Sequence, residues 1–434
     1  MKYYSLNKQA PDVDFQYAAV HGQAPDKGLY FPERIPQLSP DFLKNITTKS
    51  KLEIGVEVMS PHTEGSIPQN ILEQIVSETI DFDFPLVKID DQIASLELFH
   101  GPTMAFKDVG ARFMSRCLGY FNKGKSTKTT VLVATSGDTG GAVANGFLGV
   151  EGVEVVILYP KGKVSPIQEL QLTTCGQNIK ALEIDGVFDD CQAIVKQAFM
   201  DAALNAKMVL TSANSINIAR WLPQQLYYFF AYQQWMQEND EAPIVCVPSG
   251  NFGNICAGIL ASASGLPIKH FLAATNSNDE IPKYFNTGKY APQKAIATIS
   301  NAMDVGDPSN FVRILELFQN NFPALKDKVS SVSISDADTK ATIKEVYHRT
   351  HYILDPHGAV AYKALSDFLK PSNDRGFILE TAHPVKFPDV VEEVIGEKIP
   401  IPEKAQYLLD KKKQAVELPA DFQAVKEWLL LSQK

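Results

Sequence analysis

No stretch of this 434-residue chain approaches the roughly 20 consecutive apolar residues that a membrane helix needs. Its opening, MKYYSLNKQAPDVDF, also lacks the apolar core of a secretory signal, so a cytoplasmic protein that does not cross a membrane is expected. Cysteine is sparse. The five residues Cys117, Cys175, Cys191, Cys246 and Cys256 are odd in number and form no CxxC pair, which fits reduced core thiols better than disulfides or zinc. Basic residues number 41 against 50 acidic ones, a formal charge of −9. That balance excludes a general binder of nucleic acid, but leaves room for a local basic pocket holding one phosphorylated metabolite. Both common nucleotide signatures are missing: there is no GxxxxGK[ST], and no GxGxxG with an acid about 20 residues on. Repeats of solenoid period and low-complexity tracts are absent as well.

What the chain has is length and alternation. At this size two or three domains are expected, since single cores stop growing at roughly 250 to 300 residues. From about residue 93, continuous apolar runs at 130–135, 153–160, 179–185, 207–213, 243–249, 270–276 and 376–382 alternate with helical patterns. Those patterns cover 106–121, 138–149, 188–201, 217–236, 251–265, 337–352 and 357–369. Runs of this kind are what parallel strands covered on both faces look like, and the class is α/β. Residues 1–92 lack the rhythm and read as a separate N-terminal layer. Residues 391–434 read as a C-terminal appendage ending in an amphipathic helix.

Two strand-to-helix junctions carry glycine loops: ATSGDTGGA, with Thr135, Ser136, Asp138 and Thr139, and PSGNFGN, with Gly250, Asn251, Phe252, Gly253 and Asn254. Glycine lets the backbone approach a ligand, and the free N–H groups at a helix start favour an anion. A single loop of this kind is as readily a tight turn. Two of them at strand carboxyl ends, where α/β proteins bind ligands, weigh toward binding.

A third junction, HGPTMAFKD, places Lys107 between Phe106 and Asp108 at the start of a helix. A surface lysine is the plainer reading for the motif alone, but the apolar neighbours Met104, Ala105, Phe106 and Val109 strain it. Apolar surroundings and a helix N-terminus both disfavour the ammonium form, and a lysine so placed is the kind that forms Schiff bases. Asp108 reads as a cap for the first turn.

These junctions, in this order, resemble the fold type II pyridoxal-phosphate enzymes, the tryptophan synthase β family, and within it the threonine synthases. The resemblance runs nearly end to end through GLYFPE, HGPTMAFKD, ATSGDTGGA, YPKGKVSPIQELQLTT, SANSINIARWLPQ, PSGNFGN, DPHGAVAY and ETAHPVKFP. It implies two doubly wound, mostly parallel α/β domains, 93–215 and 216–390, with pyridoxal 5'-phosphate between them. It makes Lys107 the Schiff-base lysine, gives the cofactor phosphate to Gly250, Asn251, Phe252, Gly253 and Asn254, and sets Thr381 on the pyridine nitrogen. A threonine hydroxyl there shares only a neutral hydrogen bond and so moderates the electron sink. The loop of Thr135, Ser136, Asp138 and Thr139 would receive the substrate's α-carboxylate; many relatives have asparagine where this chain has Asp138.

In SANSINIARWLPQ, the cluster Ser212, Asn214, Asn217 and Arg220 suits a leaving phosphate, which Arg220 would hold with its forked donors. The alternative has Asn214 capping a helix and Arg220 on its exposed face. His348, His351 and His357 have an H-x2-H-x5-H spacing but no carboxylate or cysteine to complete a metal set, and no metal is expected. His357 reads as shaping a turn, His383 as a neighbour of the cofactor, and Lys161 and Lys163 as solvated or as extending a phosphate-attracting field. The implied reaction takes O-phospho-L-homoserine and water to L-threonine and phosphate. Its rival within the fold is a phospholyase or dehydratase releasing 2-oxobutyrate and ammonia; a catalytically inert binding protein is the rival from another class. Monomer and homodimer both remain open.

Overall fold

The structure is a computed structural model describing residues 1–125 and 127–432. Two sheets dominate it. The larger runs, strand beside strand, Val329–Ser333, His270–Thr275, Ile244–Pro248, Gly376–Glu380, Ile93–Glu97 and Leu86–Lys88. All neighbours in it are parallel except the antiparallel edge strand Leu86–Lys88. The smaller is wholly parallel, in the order Val416–Pro419, Ile179–Asp185, Val153–Pro160, Thr129–Ala134 and Val209–Thr211. Every residue of Thr129–Ala134, Ile244–Pro248 and Gly376–Glu380 is buried. That is the physical origin of the continuous apolar runs, since each valine or leucine buried gains roughly 1.5–3 kcal/mol over exposure.

Neither sheet is contiguous in sequence. Ile93–Glu97 pairs with Gly376–Glu380 in the larger sheet, so boundaries at 93, 215 and 390 do not coincide with the sheets. Over its described residues the C-terminal stretch ends in the expected amphipathic helix and packs on the smaller sheet. Val416–Pro419 extends the smaller sheet, and the helix Phe422–Leu431 buries Val425 and Leu429 in one cluster with Cys191, Ile194 and Ala198; Gln433 and Lys434 lie outside the described residues. The N-terminal layer carries its own antiparallel sheet of Val13–Asp14, Lys2–Ser5 and Tyr30–Pro32. It also drives Tyr3, Phe15 and Tyr30 into the main core, where Phe15 meets Phe113 and Phe121.

The expected helix 217–236 is instead Ile218–Trp221, a 3₁₀ turn Leu222–Gln224 and then Gln225–Glu238. Pro223 sits in that turn, and proline cannot supply the N–H that a continuous helix requires. Among the described residues no helix is long and apolar enough to cross a membrane.

Four strands bring the singled-out motifs together. Ile93–Glu97, Thr129–Ala134, Ile244–Pro248 and Gly376–Glu380 release from their carboxyl ends the segments containing Lys107, Asp138, Gly250–Asn254 and Thr381 respectively.

Candidate active site

Lys107 is the first residue of the helix Lys107–Asn122 and is half-buried. The backbone ahead of it is fixed rather than free. Met104 is left-handed at φ 57°, Ala105 forms an antiparallel bridge with Ala382, Phe106 N–H donates to Thr381 O at 2.9 Å, and His383 N–H donates to Met104 O at 3.1 Å. These bonds stitch the lysine segment directly to the threonine segment, far apart in sequence. Asp108 is buried and accepts from Thr103 N at 2.9 Å and Thr103 Oγ1 at 2.5 Å, so it ties down the turn before the helix. Burial pushes its carboxyl up, against the pull of those two bonds. The Tyr227 hydroxyl adds a further clamp on Phe106 O.

Burial lowers the Lys107 ammonium from its ordinary pKa, Asp138 opposes that, and Lys386 and Arg220 reinforce it. Those four charged groups therefore share one site. Asp138 begins the helix Asp138–Phe147, with its Oδ1 2.6 Å from Lys386 Nζ and accepting from Gln168 Nε2 at 2.8 Å. Burial works against its ionisation, but Lys386 and then Lys107 outweigh that and hold the carboxyl well below the usual range. Gly137, at φ 141°, must be glycine: a Cβ there would come 2.6 Å from the Gln168 side chain. In the same loop Thr135 Oγ1 is occupied by Gly137 N–H (3.0 Å) and Gly140 N–H (2.8 Å), whereas Ser136 and Thr139 are half-buried.

The second glycine loop is built differently. Phe252 is left-handed at φ 59°, and the helix it precedes, Gly253–Ala263, has no side-chain cap on its first turn. A Cβ on Gly250 would sit 2.6 Å from Met303 Cα, so the backbone passes here without room for a side chain. Asn251 is structural in its side chain, giving Nδ2–H to Ser215 Oγ at 2.7 Å and taking Ser309 N–H at 2.6 Å. Asn254 accepts at Oδ1 from Tyr228 OH (2.8 Å), while its buried Nδ2 has no protein partner. An uncapped helix start beside an orphaned amide donor is what an anion would complete. These residues fit the phosphate of a pyridoxal cofactor, and Lys107 and buried Thr381 follow the carboxyl ends of the strands alongside.

Arg220 is 3% exposed, not on an open helix face. It bonds Ala213 O, its Nε is buried without a partner, and burial first of all brings its guanidinium down to about 10. Of its neighbours in the motif, Ser212 and Asn214 are bonded to each other through Asn214 N–H and Ser212 Oγ (3.2 Å). Asn217, not Asn214, caps the next helix through Ala219 N–H, and its Nδ2 is turned inward to Ala19 O at 2.8 Å. Ser215 joins this motif to the cofactor loop, since Asn251 and Asn310 both donate to its hydroxyl and the fully buried Arg313 holds its carbonyl at 3.2 Å.

Lys386 escapes a reading of the sequence. It is fully buried between Val385 and Phe387, the same apolar setting that marks Lys107. His348 and His351 are exposed, whereas His357 is buried against Asp355 at 3.0 Å and accepts Ala302 N–H, so the three do not converge. His383 is half-buried, with burial chiefly lowering it to about 4. Lys161 and Lys163 are exposed, Lys161 paired with Glu417. All five cysteines are free, four of them buried.

Comparison with known proteins matches residues 87–376 to the family described as pyridoxal-phosphate dependent enzyme, 2–80 to the threonine synthase N terminus and 358–429 to the threonine synthase C-terminal region. The threonine synthase of Haemophilus influenzae is 44% identical over 436 residues, covering 100% of both chains. The crystal structure of the Escherichia coli threonine synthase superposes with a TM-score of 0.92 at 42% identity over 100% of both chains. A pyridoxal-phosphate-bound threonine synthase from Brucella melitensis does so with a TM-score of 0.93 at 36% identity, over 99% of this chain and 98% of that one.

Proposed function

Because this chain belongs to the pyridoxal-phosphate-dependent enzymes and, within them, to the threonine synthases, we infer that its site turns O-phospho-L-homoserine and water into L-threonine and phosphate. It is a lyase, and pyridoxal phosphate is its cofactor. Bound through its aldehyde, the cofactor supplies an electron sink for negative charge developing at the substrate's Cα and Cβ. The chain's residues do the rest. The Lys107 amine, kept short of protons by burial and by two neighbouring cations, takes a proton from Cα and from Cβ and returns protons as the product forms. The N–H groups opening Gly253–Ala263, with Asn254 Nδ2, hold the cofactor phosphate. Thr381 meets the pyridine nitrogen with a neutral hydroxyl.

Substrate recognition falls to the other loop and to Arg220. Ser136, Thr139 and the N–H groups at the start of Asp138–Phe147 take the α-carboxylate, and Lys386 offsets the charge of Asp138 in that loop. Arg220 Nε, buried and unpaired, directs a charged donor at the leaving phosphate, helped by Ser212 and Asn214. Thr135 and Asn217 shape these loops from inside. A phosphorylated substrate, whose charge keeps it from crossing a bilayer, supports a cytoplasmic location. Every residue named lies on one chain, so the reading requires no second copy.

The observation that carries the assignment is the half-buried Lys107 amine at the carboxyl ends of parallel strands, beside a second glycine loop with an uncapped helix start. Incubation with O-phospho-L-homoserine decides it by product: threonine and phosphate in equal amounts support it, and 2-oxobutyrate with ammonia overturns it.

A further inference from the structure

Two lysines and an arginine share this site, and the carboxylate that couples to both lysines is Asp138. In a low-dielectric interior an ammonium beside a carboxylate is strongly held, so the partner that Asp138 chooses decides the chemistry of the other lysine. The structure shows the choice. Asp138 Oδ1 lies 2.6 Å from Lys386 Nζ, and Gln168 Nε2 donates to that same oxygen at 2.8 Å. Lys386 has no exposure, and its Nζ also donates to Thr103 O at 2.8 Å. That carbonyl is further held by Gln171 Nε2 at 3.0 Å, and the rest of Thr103 is held by Asp108. The turn that presents Lys386, Pro384–Lys386, is itself capped by His383 Nδ1 accepting from Val385 N–H at 3.1 Å. A lysine costing this much to bury, set in this many bonds, is aimed.

We propose that Lys386 is a positioning residue: it takes the Asp138 carboxylate into a direct ion pair, so that Asp138 acts on the Lys107 nitrogen only at longer range and that nitrogen gives up its proton more easily. The proposal rests on the reading of Lys107 as the lysine that binds the cofactor. The other charged and titratable groups around the pair are accounted for. Asp108 is committed to Thr103, Arg220 is a further cation, Tyr227 is bonded to Phe106 O, and Lys404 is bonded to Phe99 O. His383 is used at its Nδ1. With Lys386 removed, Lys107 is the remaining lysine that favours the Asp138 carboxylate, and the pull between the two is no longer shared.

The test is a pH titration of the holoenzyme's visible absorbance band, which reports the proton on the Lys107 nitrogen in its link to the cofactor. Lys386→Met should raise the midpoint by about one pH unit or more, a tenfold change in the proton equilibrium. Lys386→Met with Asp138→Asn removes both charges and should return the midpoint to within about 0.3 unit of the parent, since a buried pair replaced by neutral groups is tolerated where half a pair is not. A midpoint unmoved in Lys386→Met, or raised as far in the double variant as in the single, overturns the proposal. Should the single variant fail to fold, the double variant and Lys386→Arg carry the test, and a midpoint about one unit above the parent in either overturns it. Borohydride reduction and peptide mapping separate this from the reading of Lys107. A cofactor fixed on Lys107 with no midpoint shift removes only the role of Lys386, whereas a cofactor fixed on another lysine removes the reading of Lys107 itself.

Discussion

The two glycine loops share one plan, a buried strand, a Ser-Gly turn and a helix, yet they treat charge in opposite ways. The first opens its helix with an acid, Asp138, and covers that acid with Lys386 and Gln168. The second opens its helix with glycine and leaves the first turn without a side-chain cap and Asn254 Nδ2 without a protein partner. A helix start whose field already serves a built-in carboxylate has room for a monoanion at most, and one left bare can take a phosphate. The turn is of one kind in both, and the residue at the first helical position sets how much of each helix start's field is left for an anion.

Removing the group that both loops serve should have the largest effect. Lys107→Ala should lose the visible absorbance band of the attached cofactor and slow threonine formation on the order of 10⁴-fold, measured by spectrum and kcat together. Next comes a change on the substrate side alone: Arg220→Gln should cost on the order of 10²–10³ in kcat/KM with O-phospho-L-homoserine, while the affinity for pyridoxal phosphate stays as it was. An uneven loss in the other direction would mean that Arg220 serves the cofactor. Asn254→Asp then gives the second loop the acid that the first one has, with no lysine to cover it. The Kd for pyridoxal phosphate, read by fluorescence titration, should rise roughly 10- to 100-fold, about 1.4–2.8 kcal/mol, and an unchanged value would place the phosphate elsewhere. The smallest effect tests the first loop's turn. Gly137→Ala, at a φ that disfavours a side chain and against Gln168, should lower stability by about 1–3 kcal/mol and raise the substrate KM several-fold with cofactor affinity intact.

The same physics decides which elements are legible in the sequence. Strands such as Thr129–Ala134 and Ile244–Pro248 announce themselves because both faces are covered and every position must be apolar. Val329–Ser333 does not, because it lies at the sheet edge and is rich in serine; Ser331 and Ser333 satisfy their hydroxyls on Ala273 O and Asn276 O. The helix Pro166–Thr173 is hidden because two of its buried positions are the glutamines Gln168 and Gln171, which bond Asp138 and Thr103 and spoil the apolar stripe. Lys107 is legible through local contrast with its neighbours and through the order of the motifs. Lys386 has the local contrast as well, but its meaning lies in a carboxylate nearly 250 positions earlier, which no window of sequence connects to it.

Gly376–Glu380 lies between Ile244–Pro248 and Ile93–Glu97, so the middle of the larger sheet waits on a strand made after both of its neighbours. Until the ribosome has released it, Phe106 and Met104 have no Thr381 carbonyl and His383 amide to bond, and Lys386 does not yet exist to occupy Asp138. A chain that has not yet reached this strand carries Lys107 without the contacts that fix its segment in the folded molecule.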